Sequence, residues 1–414
     1  MMLAFPKRAF HSRNIEGKSR MRIPQLFVSC LVLGAGLICS TMGSAEAQSR
    51  EASVVETARA GKVDGKPGGS DRFIWETFTQ VVKPTSVADK VEFQTWATDQ
   101  DVYQQVPSWP PLTAPHRLRG SKQASLNGLG SADSDPCSPA GNPWVANFPL
   151  DGCLAEVVYR NRPQYDYIVN NGLYSAAGVS AFFASTKTVQ MPKTSLSVKA
   201  NWVPLTDILK WVPQFQNIAN VRKAYYTITV SGVEYGLVAF HIASKWNPDW
   251  VWGTFEHQNN PGRCDEIGCY DSFGARKQVV LPRRNATNTQ YGACTKTPAL
   301  TAMMRAAGLP AIWDNYCLKS SQTTFVNARG TPTVLSNSVT ERVSGNVQVV
   351  ASCIACHAYA SFGSSGTTTA AAQAMLNYNP FGNPLASVFT DAKKYDFMWG
   401  IININPVTTA PLGN

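Results

Sequence analysis

The chain changes period along its length. Apolar and polar residues alternate over Ser195–Trp202 and again over Trp250–His257, the signature of strands with one buried face. Ser195–Trp202 reads S-L-S-V-K-A-N-W, and Trp250–His257 reads W-V-W-G-T-F-E-H. Between them, Tyr225–Val230 and Val233–Ile242 flank Ser231-Gly232 and predict a β-hairpin. Helical signals lie on either side. Ser70 or Asp71 caps a helix over Phe73–Val82, which ends before Pro84. Thr98 and Asp101 have capping-box spacing. Arg162-Pro163 opens a helix that stops at Gly172, and Thr297-Pro298 opens another that stops at Gly308. Further helices are predicted over Ala370–Leu376 and Val388–Lys394. Residues 106–150, Gly363–Thr369 and Asn379–Pro384 are rich in turn formers and read as loops, while residues 318–350 are mixed and polar. There is no internal repeat. The pattern predicts an α+β chain. A β-rich, aromatic-rich region with short helices spans residues 71–296, and a mainly helical, loop-rich region spans 297–414. The Trp stripes of the strands are expected to be core.

The first residues change this picture. Basic residues through Arg22 precede an apolar run, Ile23–Ile38, and small residues follow to Ala45-Glu46-Ala47. These are the three regions of a secretory signal, predicted as residues 1–47 with cleavage after Ala47. Residues 48–70 follow as a flexible lead-in. No other segment is long and apolar enough to span a bilayer, so no stable membrane span is expected after cleavage. The expected location is the periplasm or the exterior. The formal charge is +10. The leader holds six Lys/Arg and two acids, leaving 31 basic against 25 acidic residues, or +6. That mild balance, without a dense basic run, argues against a nucleic-acid partner.

Ten cysteines are present, and the leader accounts for Cys30 and Cys39. Six of the others, Cys137, Cys153, Cys264, Cys269, Cys294 and Cys317, read as disulfide partners in an exported chain. Short loops favour Cys137–Cys153, Cys264–Cys269 and Cys294–Cys317.

The remaining pair stands in Cys353-Ile354-Ala355-Cys356-His357. C-x-x-C-H is the spacing of covalent haem c attachment. Each thiol adds across one haem vinyl group, and the adjoining histidine binds iron from one face. A disulfide or half a zinc site is the competing reading, but no second C-x-x-C is present to complete a zinc site. The expectation is one covalent haem c on Cys353 and Cys356, with His357 as proximal ligand. No P-loop, dinucleotide fingerprint, H-E-x-x-H or G-x-S-x-G motif is present.

At this motif the chain resembles the single-haem c-type cytochromes of bacteria. The segments Trp252-Gly253-Thr254-Phe255-Glu256-His257 and Asp166-Tyr167-Ile168-Val169-Asn170-Asn171-Gly172 are similar to large, mostly uncharacterised cytochrome c family proteins, in which a long N-terminal region precedes one C-x-x-C-H. The resemblance implies a cytochrome c-like C-terminal haem region, electron transfer and a redox partner protein. It also implies a distal methionine downstream of the motif, which makes Met398 the first candidate for the second iron ligand. His257, beside Glu256 at a strand end, is the alternative, and Met303, Met304 and Met375 are lesser ones. The other histidines after the leader are His116 and His241. About 250 residues outside the haem region are more than a simple carrier needs, so two other readings stand: a peroxidase-like oxidoreductase with an open distal site, where His257 or Glu256 acts as acid/base, and a haem-based sensor or binding protein.

Overall fold

The alternation around residue 200 is realised as a seven-stranded antiparallel sheet. The structure, a computed structural model, describes residues 69–118, 154–265, 267–279, 289–341, 351–377 and 380–404. The signal segment 1–47, nearly all of the lead-in and the Cys137–Cys153 pairing lie outside the described residues. Strands β1 (Ala97–Thr98), β2 (Ala155–Arg160), β3 (Leu196–Pro204), β5 (Val233–Ser244), β6 (Val251–His257) and β7 (Tyr316–Gln322) pair in the order β1-β2-β3-β5-β6-β7, and β4 (Thr227–Val230) pairs with β5. The β4–β5 hairpin turns at Ser231 and Gly232, with φ of 50° and 80°. Two successive positive φ values match the right-handed twist of the strands.

The period-2 pattern separates two faces. Val198, Ala200 and Trp202 of β3 point with Phe240, Ile242 and Phe255 into an apolar core. Helices α1 (Gly69–Val81) and, later in the chain, α4 (Pro298–Ala306) cover that core with Ile74, Trp75, Phe78, Leu300 and Met304. Phe240 and Phe255 stack at 4.8 Å, so the aromatic stripe here is packing. Helices α2 (Arg162–Asn170) and α3 (Ala176–Ala184) belong to a second cluster, with Ala243 and Trp252 from the other face and Ile354, Tyr359 and Trp399 from the C-terminal segment. The class is mixed α+β with a mostly antiparallel sheet.

Several predicted elements are present with shifts at their ends: α1, α2, α4, β3, the hairpin and β6. The Thr98–Asp101 box forms, with Thr98 N donating to Asp101 Oδ2 at 2.8 Å. Strands β2 and β7 escape the pattern. β7 reads Y-C-L-K-S-S-Q because Lys319 and Gln322 face a polar layer, and Ser321 reaches Ser70 on the opposite side at 2.7 Å. Since β7 pairs with β6, the sheet runs across the 296/297 division, and residues 50–414 cluster as one unit. The helix expected over Val388–Lys394 is instead a 3-10 turn, Ala386–Phe389, and a strand, Lys393–Lys394, paired with Ser361–Phe362. Lys393 Nζ donates to the carbonyls of Phe182 and Lys187 at 3.2 and 3.1 Å, contacts that draw this end of the chain toward α3 in an extended form. Cys264–Cys269 and Cys294–Cys317 are disulfide-bonded, as the short loops suggested. Among the described residues no helix is long and apolar enough to cross a membrane.

Candidate functional site

The motif forms a single helical turn, α5 (Cys353–His357), after the extended residue Ser352. Spacing of three and four places Cys353, Cys356 and His357 on one side of that turn. Ile354 and Ala355 between them are buried, whereas the two cysteines and the histidine are half-buried. The chemically competent side chains therefore face outward together and the spacers anchor the turn. The anchoring comes from β7. Gln322 Nε2 donates to Ser352 Oγ at 2.8 Å, and its Oε1 accepts from Ile354 N at 3.0 Å. Ser352 Oγ in turn accepts from Ala355 N at 3.4 Å. Cys353 Sγ donates to Leu335 O at 3.2 Å. Both thiols are free. Burial pushes the Cys356 thiol up to about 12 and raises Cys353 well above its ordinary value; the Glu341 carboxylate adds to both shifts and Lys199 opposes them.

His357 Nδ1 lies 2.7 Å from Phe397 O. A carbonyl only accepts, so Nδ1 carries the proton and Nε2 presents a lone pair. The imidazole also lies against the Trp252 ring, with centroids 4.4 Å apart. The carbonyl is brought there by an unusual turn. Asp396 and Phe397 have φ of 47° and 69°, consecutive left-handed residues without glycine. Each costs about 1–2 kcal/mol and persists only where neighbours over-determine it. Asp396 supplies that constraint: its carboxylate accepts from Lys245 Nζ at 2.6 Å, Met191 N at 2.6 Å and Trp250 Nε1 at 3.3 Å. Trp399 Nε1 closes the segment on Cys356 O at 3.2 Å.

Beside α5, the second face of the sheet is polar. Lys199, His241 and Thr254 stand in one row across β3, β5 and β6. The segment 335–341 runs over them. Asn337 Nδ2 donates to Thr254 Oγ1 at 3.1 Å, Ser338 N to Glu256 Oε1 at 2.8 Å and Thr340 Oγ1 to Asn201 Oδ1 at 3.0 Å. Glu341 Oε1 stands 3.5 Å from both Lys199 Nζ and His241 Nε2. Burial alone would lower the Lys199 pKa, but Glu156 and Glu341 outweigh it and raise it. Burial, reinforced by Lys199, His357 and Lys319, lowers His241 well below the ordinary range. His241 is therefore a neutral imidazole in a charged layer. Sequence reading gave it no role. Its position two residues from Ala243 in a strand of alternating faces was the only signal.

The candidates for the second ligand are dispersed. Met398 is buried, with Sδ 3.7 Å from Ser197 Oγ, and directly follows the carbonyl that takes His357 Nδ1. Met304 is buried in the core under α1 with Met303 packed against it, and Met375 packs on the second cluster. His257 is fully buried, not exposed as its polar neighbours suggested. It stacks on Tyr225 at 3.5 Å, its Nε2 donates to Ala224 O at 3.0 Å and its Nδ1 accepts from Asn259 N at 3.3 Å. With both nitrogens engaged, it is not free to ligate. Glu256 is tied to Ser338 and, at 3.5 Å, to Lys319.

His257 has a consequence for stability. Burial drives its pKa down to about 3, and Arg263 and Lys296 add to the shift, while the Ala224 bond opposes it. The unfolded chain takes up this proton near the ordinary histidine value, and the folded chain does not. Stability is therefore lost as pH falls from about 6.5 toward 3, by about 2 kcal/mol between pH 7 and pH 5 from this group. Denaturant titrations of His257→Gln should show a pH dependence flatter by that amount; parallel curves for the two proteins would contradict the assignment.

Among the described residues no group of three or more His, Cys, Asp or Glu is placed to hold a metal ion. No family model, curated protein or solved structure matches this chain.

Proposed function

We propose that this chain is an exported single-haem c-type cytochrome that carries electrons to or from a redox partner protein. The observation that carries the reading is α5: two free thiols and a histidine half-exposed on one turn, with the histidine's Nδ1 already bonded to a backbone carbonyl. That arrangement fits haem c. Cys353 and Cys356 Sγ would hold it as thioethers, each S–H adding across one vinyl group with the proton going to the neighbouring vinyl carbon, so that no oxidant would be consumed. His357 Nε2 would bind the iron, and the bond from Nδ1 to Phe397 O would fix the ring's tautomer and orientation and raise its basicity as a ligand. When bound, the haem supplies an iron that cycles between Fe(II) and Fe(III), at a potential set by ligands, burial and charge.

The single motif and the resemblance to large cytochrome c family proteins support the haem reading, with residues 297–414 as its haem-binding region. The leader supports export to the periplasm or beyond.

The test is an optical spectrum of the purified exported protein, reduced, with and without carbon monoxide. A carrier with two firm axial ligands gives a low-spin spectrum that carbon monoxide leaves unchanged. A high-spin spectrum that shifts with carbon monoxide means an open iron position, and the oxidoreductase or sensor reading replaces the carrier.

A further inference from the structure

Both sequence candidates for the second iron ligand implied by that carrier reading make other contacts in the fold. Met398 Sδ lies at 3.7 Å from Ser197 Oγ, and Met398 follows the residue whose carbonyl is bonded to His357 Nδ1. His257 has both nitrogens bonded.

His241 has the opposite character. The residue is 9% exposed, and its Nε2 is buried and makes no hydrogen bond. An unsatisfied buried polar atom is costly, and in a native structure it calls for an explanation. Its neighbour Glu341 does not provide one. Glu341 Oε1 is 3.5 Å away, and the same carboxylate already accepts from Asn337 N at 2.6 Å and faces Lys199 at 3.5 Å. The position is also right. His241 and Trp252 project from the same face of the β5–β6 pair, where His241 pairs with Thr254 and Ala243 with Trp252. That diagonal relation puts their Cβ atoms about 7 Å apart. Trp252 is the residue against which the His357 ring lies. Lys199, the partner of His241 on β3, interacts electrostatically with both Cys353 and Cys356. An imidazole with an unbonded nitrogen thus stands in the layer beside the two thiols and the proximal histidine.

Resting on the haem c reading above, we infer that His241 Nε2 is the second axial ligand of the iron attached at Cys353, Cys356 and His357. The centre is then a bis-imidazole haem, and the β-rich region supplies half of its coordination. Coordination satisfies a buried atom that the folded protein leaves unbonded.

The experiment uses the full-length, haem-loaded protein, as wild type and as His241→Ala and Met398→Ala. Haem stain on a denaturing gel reports attachment, and the spectrum of the native protein reports ligation. The expected result is a low-spin ferric wild type whose near-infrared magnetic circular dichroism has the bis-imidazole charge-transfer band. His241→Ala should keep its stain, become high-spin, and return to low-spin with added imidazole. Met398→Ala should leave the band in place. A His–Met band in the wild type, a wild type that is high-spin, or a His241→Ala protein that stays low-spin without imidazole overturns the inference. If His241→Ala does not fold, His241→Met takes its place: a bis-imidazole band that changes to a His–Met band supports the inference, and one that persists overturns it. Absence of stain in the wild type would instead overturn the haem reading itself, and the inference with it.

Discussion

Replacing Cys353 and Cys356 together by alanine should remove all haem stain from the exported chain on a denaturing gel, when it is produced alongside a cytochrome c maturation system. The physical reason is that the thioethers are the only covalent links available at α5. A bond from His357 to the iron would not survive denaturation. Each single variant retains one thiol on the turn and should keep stain through one thioether. Stain that persists in the double variant would place the attachment elsewhere. The fold should tolerate the change, because both side chains are half-buried and the turn is anchored by Ile354, Ala355 and Gln322.

The second large effect is expected one layer back. Asp396→Ala should destabilise the protein by about 3–5 kcal/mol, since removing one partner strands a buried charge. Lys245 and Asp396 are 7% and 6% exposed at their side chains and 2.6 Å apart. The same carboxylate holds Met191 N and Trp250 Nε1, and with them the two left-handed residues that aim Phe397 O at His357. Urea unfolding should show the loss, and Lys245→Met combined with Asp396→Ala should recover part of it by removing the stranded ammonium. A loss below about 1 kcal/mol for the single variant would mean that the turn is set by other contacts.

What the sequence disclosed about the fold followed its periodicity. The strand segments within 195–257 alternate because one sheet face is a dense aromatic core, so β3, the hairpin and β6 were legible. β7 was not, because its side chains serve a polar layer on one face and reach Ser70 and Asp71 on the other. Its polarity looked like loop composition. The two disulfides among the described residues were legible from loop length alone. At the site, the grouping of Cys353, Cys356 and His357 on one turn was legible because their spacing is local. The groups around them were not. Phe397 O, Gln322, Lys199 and Glu341 come from far along the chain, and a backbone carbonyl carries no signature in side-chain identity. His257 drew notice through its polar neighbours, yet Glu256 and His257 point to opposite faces of β6, and the histidine is stacked on Tyr225. His241 lies among Phe240, Ile242 and Ala243, a context that reads as core until the sheet shows which face it occupies.

The account stands or falls on whether haem is bound covalently. The direct measurement is the pyridine haemochrome spectrum of the wild-type exported chain, recorded on the polypeptide after acid–acetone extraction. The account predicts that haem stays with the polypeptide and that its reduced band lies at the position of a haem whose two vinyl groups have become thioethers. Haem that is absent, or that extracts into the solvent with its vinyl groups intact, would contradict it.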